Sequence, residues 1–209
     1  LLPCGGLLEK LAIRLVPDAA QEEQAVELDE RLLATPTLAL QQCRAVAGDM
    51  AVCAVRALDN ALTAFTHYTP ELATKIRKDE DRCDHYEDVI GTYLVKLSAQ
   101  KMGSSESEEA TELLKTIGDW ERISDHAVNV LESAEELREK GLAFSGTAQA
   151  ELNTLCDAIR EILTLAQNSF AQQDAVAALK VEPLEQVIDA LKEEMRTRHI
   201  LRMQQGQCS

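Results

Sequence analysis

Aromatic residues are scarce in this chain: tryptophan, tyrosine and phenylalanine make up 3% of its 209 residues. Glycine and proline are also few, at nine and five, and proline is confined to positions 3, 17, 36, 70 and 183. No alternating apolar–polar run marks a strand, so sheet sandwiches and barrels are excluded and long helices are expected. No stretch approaches the ~20 apolar residues of a membrane span. Residues Leu1 to Leu8 lack the charged start and apolar core of a secretory signal. Positive charge is outweighed, 21 lysines and arginines against 36 acids, a net charge of −15. That balance argues against nucleic acid and against charge-driven binding to anionic lipid. Free phosphate would be repelled too, unless metal ions invert the local field. There is no phosphate-cradling glycine loop, nucleophile elbow or His-Glu-x-x-His. No histidine follows a glutamate by three residues, so the Glu-x-x-His signature of ferritin-like di-iron proteins is missing. The six cysteines, at 4, 43, 53, 83, 156 and 208, form no Cys-x-x-Cys. They read as small buried hydrophobes of a protein kept in a reducing compartment.

What the chain has is apolar residues, at 45%, and acids at helical spacing. A first long helix opens at Thr35-Pro36 and runs to about Tyr68, where Thr69-Pro70 starts a second that extends to about 101. Gly103-Ser104-Ser105-Glu106-Ser107 is a turn whose serines cap a third helix, ending at Lys140-Gly141. Ser145-Gly146-Thr147 caps a fourth helix, to about 173, and a fifth occupies about 174–204. Ahead of them, residues 1–27 read as a lead-in with a short helix near 6–14, and Asp29 to Pro36 as a connecting strap. The fold is expected to be all-α, with antiparallel neighbours.

Within the third helix, Asp119-Trp120-Glu121-Arg122-Ile123-Ser124-Asp125-His126 carries a Glu and an Asp four residues apart, on one side of the helix. At ~100° per residue, Glu121 falls in the apolar stripe of Leu114, Ile117, Val128 and Leu131, while Arg122 and His126 point away. Trp120 is expected as an interhelix anchor. An ionised carboxylate in such a stripe needs a cation or several donors. The second helix repeats the spacing in Glu80 and Asp84, within a segment, 79–88, of six acids and one arginine. Two such pairs on adjacent helices could surround one point with four carboxylates, a nest for Mg, Mn, Fe or Zn. The spacing is equally that of a solvated acidic face, and Glu121 could be a capped core carboxylate. Both readings stay open here. The short turn at 102–105 puts Asp84 and Glu121 each ~27 Å from it along antiparallel helices. Glu87 borders the same face, and Asn129 lies one turn beyond Asp125 as a possible hydrogen-bond partner.

Glu185 and Asp189 give the pair a third time, 105 residues after Glu80 and Asp84. At that offset Phe65 matches Phe170 and Leu58 matches Leu163, an internal repeat of a helical block. The partner of Glu121 and Asp125 would fall past residue 209, which makes Glu185 and Asp189 a half-site. Without a covering helix, Leu163, Leu184, Ile188 and Leu191 should form an apolar patch suited to a homodimer.

The motif Glu121-Arg122-Ile123-Ser124-Asp125-His126-Ala127-Val128-Asn129, with Ser124 where glycine is usual, resembles that of the PhoU family of phosphate-uptake regulators. More narrowly, Leu7-Leu8-Glu9-Lys10-Leu11-Ala12, Leu28 to Pro36 and Tyr93 to Ser98 resemble the PhoU-like cytoplasmic tail of bacterial sodium/phosphate cotransporters. The resemblance implies an antiparallel helical bundle of two three-helix repeats, the second incomplete. Residues 1–33 would be a lead-in from a preceding membrane domain, 34–141 the first repeat, and 145–209 the truncated second. It implies metal ions held by Glu80, Asp84, Glu121 and Asp125, singly or as a multinuclear cluster. It also implies a non-catalytic role in sodium-dependent phosphate transport or its regulation, at the cytoplasmic face of the inner membrane. The partner would be the transporter domain of the same polypeptide, with no nucleic acid. A carboxylate-bridged metalloenzyme and a metal-free structural adaptor are the alternatives. The chain has no initiator methionine and is expected to be a piece of a longer protein.

Overall fold

The computed structural model describes residues 26–207, and every regular element among them is helical. Five long helices, α1 (Pro36–His67), α2 (Pro70–Ser98), α3 (Ser104–Glu139), α4 (Gly146–Gln172) and α5 (Val181–Gln204), are preceded by a 3₁₀ turn, Glu30–Ala34. A four-residue helical turn, Ala175–Ala178, separates α4 from α5. The fifth helix thus starts later than expected. Gln173 takes a left-handed conformation (φ 53°), and the Asp174 carboxylate accepts from the Val176 and Ala177 amides, diverting the chain before α5 begins. The short helix expected near 6–14 lies outside the described residues.

The helix boundaries have local causes. Pro36 and Pro70 occupy first turns, where a missing N–H costs nothing. Thr69 caps α2 by accepting from the Leu72 amide at 3.1 Å, and Ser145 caps α4 from the Ala148 amide at 3.3 Å. The α3 cap differs from the sequence reading. Gly103 is the N-cap, Ser104 is already helical, and Glu106 folds back to accept from the Gly103 amide at 2.9 Å. The same glutamate accepts from the Thr37 hydroxyl at 2.7 Å, tying the starts of α1 and α3 together. Gly141, at φ 63°, ends α3 where a side chain would be strained.

Helix α1 is the centre. Seven of its buried residues are alanines (39, 47, 51, 54, 57, 61 and 64), so backbones can approach it closely. It packs against α2, α3 and α4, while α2 and α3 pack on each other. Thr37–Glu106 and Tyr68–Glu135 contacts run α3 parallel to α1, and Cys53–Asp79 with Cys83–Met50 contacts run α2 antiparallel. One buried cluster joins Leu40, Met50, Tyr86, Leu94, Leu113 and Trp120; a second joins Ile76, Ala127 and Leu131. Trp120 meets Phe170 of α4 edge-on, ring centroids 6.2 Å apart, the anchoring role expected of it. Cys43, Cys53, Cys83 and Cys156 are all buried and free. Residues Val26, Leu28, Leu32 and Leu33 of the strap lie on the first cluster, and the Tyr93 hydroxyl donates to the Asp29 carbonyl at 2.8 Å.

Helix α4 is held to α1 by Arg160, which donates to Asp59 at 2.6 Å. Among the described residues, helix α5 packs only on α4 and the turn before it, and none of its residues is buried. Arg202 clamps Glu151 of α4 through two bonds of 2.9 Å. The expected apolar patch is differently composed. Leu163 is buried, and Leu184, Ile188 and Leu191 are half-covered because they face α4 across the hairpin. Val176, Leu179, Val187, Ile200, Leu201 and Met203 are the exposed ones.

The buried carboxylate of the bundle is Asp79, 6% exposed, which takes a forked pair of hydrogen bonds from Arg56 of α1 at 2.9 and 2.6 Å. Removing the arginine strands a charge in the interior, whereas removing the carboxylate leaves a guanidinium whose side chain is 40% exposed and can reach water. Arg56→Gln is therefore expected to cost about 2 kcal/mol in urea unfolding, reduced from the fully buried range by that exposure, and Asp79→Asn about half as much. Equal costs would contradict this account of the pair.

Candidate functional site

Helices α2 and α3 cross where Cys83 and Ser124 meet, both fully buried. Ser124 fits a position where a larger side chain would force the helices apart, and its hydroxyl is spent locally, donating to the Glu121 carbonyl at 2.8 Å. On the outer side of that crossing, Glu80, Asp84 and Asp125 come together. One carboxylate oxygen from each lies within 4.8 Å of the others. Glu80 is half-buried and the two aspartates are exposed, so the group sits in a shallow, water-accessible notch.

Glu121 and Glu87 flank this trio. Glu87 reaches the α3 backbone beside Gly118, where a β-carbon would lie 3.6 Å from its carboxylate oxygen. Glu121 is half-buried, as is Val128 of the same stripe. Asn129 is exposed one turn beyond Asp125, and no hydrogen bond joins the two among the described residues. Glu185 and Asp189 lie on α5, exposed and apart from this notch, with Asp189 2.5 Å from Lys192.

Four arginines near the motifs are engaged elsewhere. Arg82 lies over the Tyr86 ring and donates to its hydroxyl at 3.0 Å; Arg122 pairs with Asp119. Arg77 is taken by Glu135, and Arg56 by Asp79. Among the described residues no ion pair reaches Glu80, Asp84, Glu87, Glu121 or Asp125. The electrostatic consequence is direct. Partial burial first, then the neighbouring charges of Asp84, Asp81 and Asp125, raise the Glu80 carboxyl above its ordinary 4.5. Burial, then Asp125, raises Asp84 above 3.8, and burial, then Asp125 and Glu87, raises Glu121. An uncompensated set of converging carboxylate oxygens is the donor set of a hard or borderline cation. The residues fit such an ion.

Asp79 and Arg56 escaped the sequence reading. An arginine inside the alanine-rich face of α1 was the available signal, since a cation there requires a buried acid opposite it.

Residues 48–134 match the family model of the PhoU domain, a span that contains both acidic motifs. Curated relatives are Phosphate-specific transport system accessory protein PhoU homologs. That of Pseudomonas putida is 27% identical over 133 residues, 63% of this chain and 51% of the relative. That of Borreliella burgdorferi is 26% identical over 150 residues, 68% of this chain and 66% of the relative. The Aquifex aeolicus protein is 27% identical over 143 residues, 68% and 63%. The chain thus spans between half and two thirds of the length of these relatives. No solved structure matches it.

The raised carboxyls set a pH dependence. Each binds its proton more tightly in the folded chain than in the unfolded one, so the folded state takes up protons first as pH falls. The stability these groups contribute should therefore rise as pH falls through their raised titration range, and level off below their ordinary values of 4.5 and 3.8. Denaturant titrations of the chelated protein should show this rise, and Asp84→Asn should flatten it. A flat profile in the parent protein would show that the carboxylates do not repel one another. By these findings the chain is similar to the PhoU domain family over its first three-helix bundle.

Proposed function

We propose that this chain is a metal-carrying, non-catalytic regulatory module of phosphate transport. Glu80, Asp84, Glu121 and Asp125 are its ligand set in this reading, and Glu87 supplies an outer carboxylate. The observation that carries it is the convergence of Glu80, Asp84 and Asp125 within 4.8 Å without an arginine or lysine to neutralise them, inside the segment that matches the PhoU domain. The relatives are named as accessory proteins of a phosphate-specific transport system, which favours a transporter as the partner. The further reading, a tail joined to a sodium/phosphate cotransporter at the cytoplasmic face of the bacterial inner membrane, rests on the resemblance of residues 7–12 and 28–36. Among the described residues no helix is long and apolar enough to cross a membrane, so any spanning domain would be another part of the polypeptide. Ions with oxygen preference, Mn, Fe, Zn or Mg, suit the site. Metal ions there would offset the carboxylate repulsion and could offer open coordination positions to phosphate oxygens. Glu185 and Asp189 would serve as ligands only if further carboxylates were brought to them.

Chelated protein titrated with Mn²⁺ should become more stable. At a hundredfold excess over Kd the gain is about 2.7 kcal/mol, or roughly 5–10 °C in Tm. The double substitution Asp84→Asn with Asp125→Asn should keep its helicity and lose the response. A metal-insensitive Tm across Mn²⁺, Fe²⁺, Zn²⁺ and Mg²⁺ would leave the adaptor reading in its place.

A further inference from the structure

Two of the buried free thiols, Cys53 and Cys83, face each other across the α1–α2 seam. The Cys53 thiol of α1 donates to the Asp79 carbonyl of α2 at 3.3 Å. Cys83 of α2 reaches the Met50 carbonyl of α1 at 3.9 Å. Asp79 lies one turn before Cys83, and Met50 one turn before Cys53. A helical side chain leans over the turn N-terminal to its own Cα. Cys83 therefore leans over Asp79 and Cys53 over Met50, which brings both sulfurs into one gap between the same two carbonyls. A disulfide needs Cα atoms within ~7 Å of each other. The buried alanines 51, 54 and 57 of α1 allow α2 the close approach this requires.

Cys43 and Cys156 fit the reading as small buried hydrophobes. Burial raises both thiols, Cys43 to about 12, and no hydrogen bond joins either to another cysteine among the described residues. Cys53 is different, because a cation stands on its sulfur. Arg56, while forked to Asp79, also donates to the Cys53 sulfur at 3.5 Å. The arginine side chain is 40% exposed, so it forms a polar path from the surface to the buried sulfur. The neighbouring Cys83 thiol, against burial and the Asp79 charge, holds the Cys53 thiol below its ordinary 9.0. The same contact, together with burial, raises Cys83. One thiol is thus prepared as the nucleophile and the other as its resolving partner.

We propose that Cys53 and Cys83 are a redox site, joined by a reversible disulfide that clamps α1 to α2 when a small peroxide reaches them. The Cys53 thiolate attacks one peroxide oxygen; the O–O bond breaks, and the leaving hydroxide takes up the thiol's proton as water. The Cys83 sulfur then attacks the resulting Cys53 sulfenic acid. The S–O bond breaks, the S–S bond forms, and a second water leaves with the Cys83 proton. Two thiols have given up two electrons and two protons, and the peroxide has become two waters. A dithiol reverses the step by exchange. The bond closes a loop of ~30 residues around the Thr69-Pro70 turn, which restricts the unfolded chain.

The test treats the whole chain, reduced and then freed of reductant, with hydrogen peroxide, followed by alkylation and tryptic mapping. Residues 45–56 should be found joined to residues 83–96, while Cys43 and Cys156 are recovered as alkylated thiols. The oxidised protein should unfold at a urea midpoint higher by about 1 M, and dithiothreitol should restore the parent value. Cys53→Ala and Cys83→Ala should each lose both the joined peptides and the shift. Circular dichroism checks that they keep the parent helicity. Should either lose it, peroxide treatment of the parent in urea replaces it, and there the linkages should scatter over other cysteine pairs. Four results would each overturn the proposal: no joined peptides in the folded protein, linkage chiefly between other cysteines, Cys53 recovered as sulfinic acid without linkage, or a linked protein whose urea midpoint does not rise.

Discussion

Helix α1 has to touch three other helices along most of its length, and only a seam of small side chains permits that. Alanine at 39, 47, 51, 54, 57, 61 and 64 provides it. Each alanine contributes modestly through burial, but the seam lets larger residues on neighbouring helices, among them Ile90, Leu94, Leu113, Ile117 and Leu131, fill the space between close backbones. The positions of α2 and α3 relative to each other follow from this. They meet over α1 at Cys83 and Ser124, again small residues, and so the acids on their outer edges are brought within a few ångströms. The carboxylate notch is a by-product of tight packing beneath it.

That packing works against electrostatics. Five acids crowd the α2–α3 edge in a chain already carrying net charge −15, and like charges at such separations oppose association of their helices. The fold offsets the repulsion beside the notch. Arg56 grips Asp79 between α1 and α2 one residue before Glu80. Arg77, two residues before Asp79 on the same helix, grips Glu135 between α2 and α3 at 2.7 Å. These two clamps leave the notch itself without a cation, which is the arrangement that a metal ion would complete and a purely structural surface would not require.

Much of this was legible in the sequence because it depends on period and spacing. The five long helices, their antiparallel turns, and the meeting of Glu80 and Asp84 with Asp125 all follow from counting residues either side of a short loop. What was not legible depends on tertiary detail. Glu121 falls in the apolar stripe by helical projection and is half-buried there, a degree of exposure that projection alone does not supply. Asp79, the carboxylate that is truly buried, lies between Lys78 and Glu80 and looks solvated until its partner on α1 is seen. The α3 cap falls on Gly103 rather than on a serine because the Glu106 carboxylate accepts from the Gly103 amide. Leu184, Ile188 and Leu191, expected to form a patch for want of a covering helix, are half-covered by α4 itself, because the turn at Ala175–Ala178 aims α5 back along it.

The contrast between the two acid pairs at a spacing of 105 residues shows what separates a ligand set from a solvated one. Glu80-x-x-x-Asp84 and Glu185-x-x-x-Asp189 are identical in pattern. Three residues after Asp84 stands Glu87, and three after Asp189, at the same offset, stands Lys192. On a helix that neighbour lies within reach of the aspartate. Lys192 binds Asp189 at 2.5 Å and lowers its carboxyl below the ordinary range, chiefly through that hydrogen bond. Glu87 does the opposite to the first notch, adding charge beside Glu121 and helping to raise it. One position, acidic in one hairpin and basic in the other, decides whether the carboxylates stay available. Where it is acidic, and a second helix brings Asp125 across, no ion pair meets the carboxylates among the described residues. Where it is basic, the helix neutralises itself and its surface is free for another use.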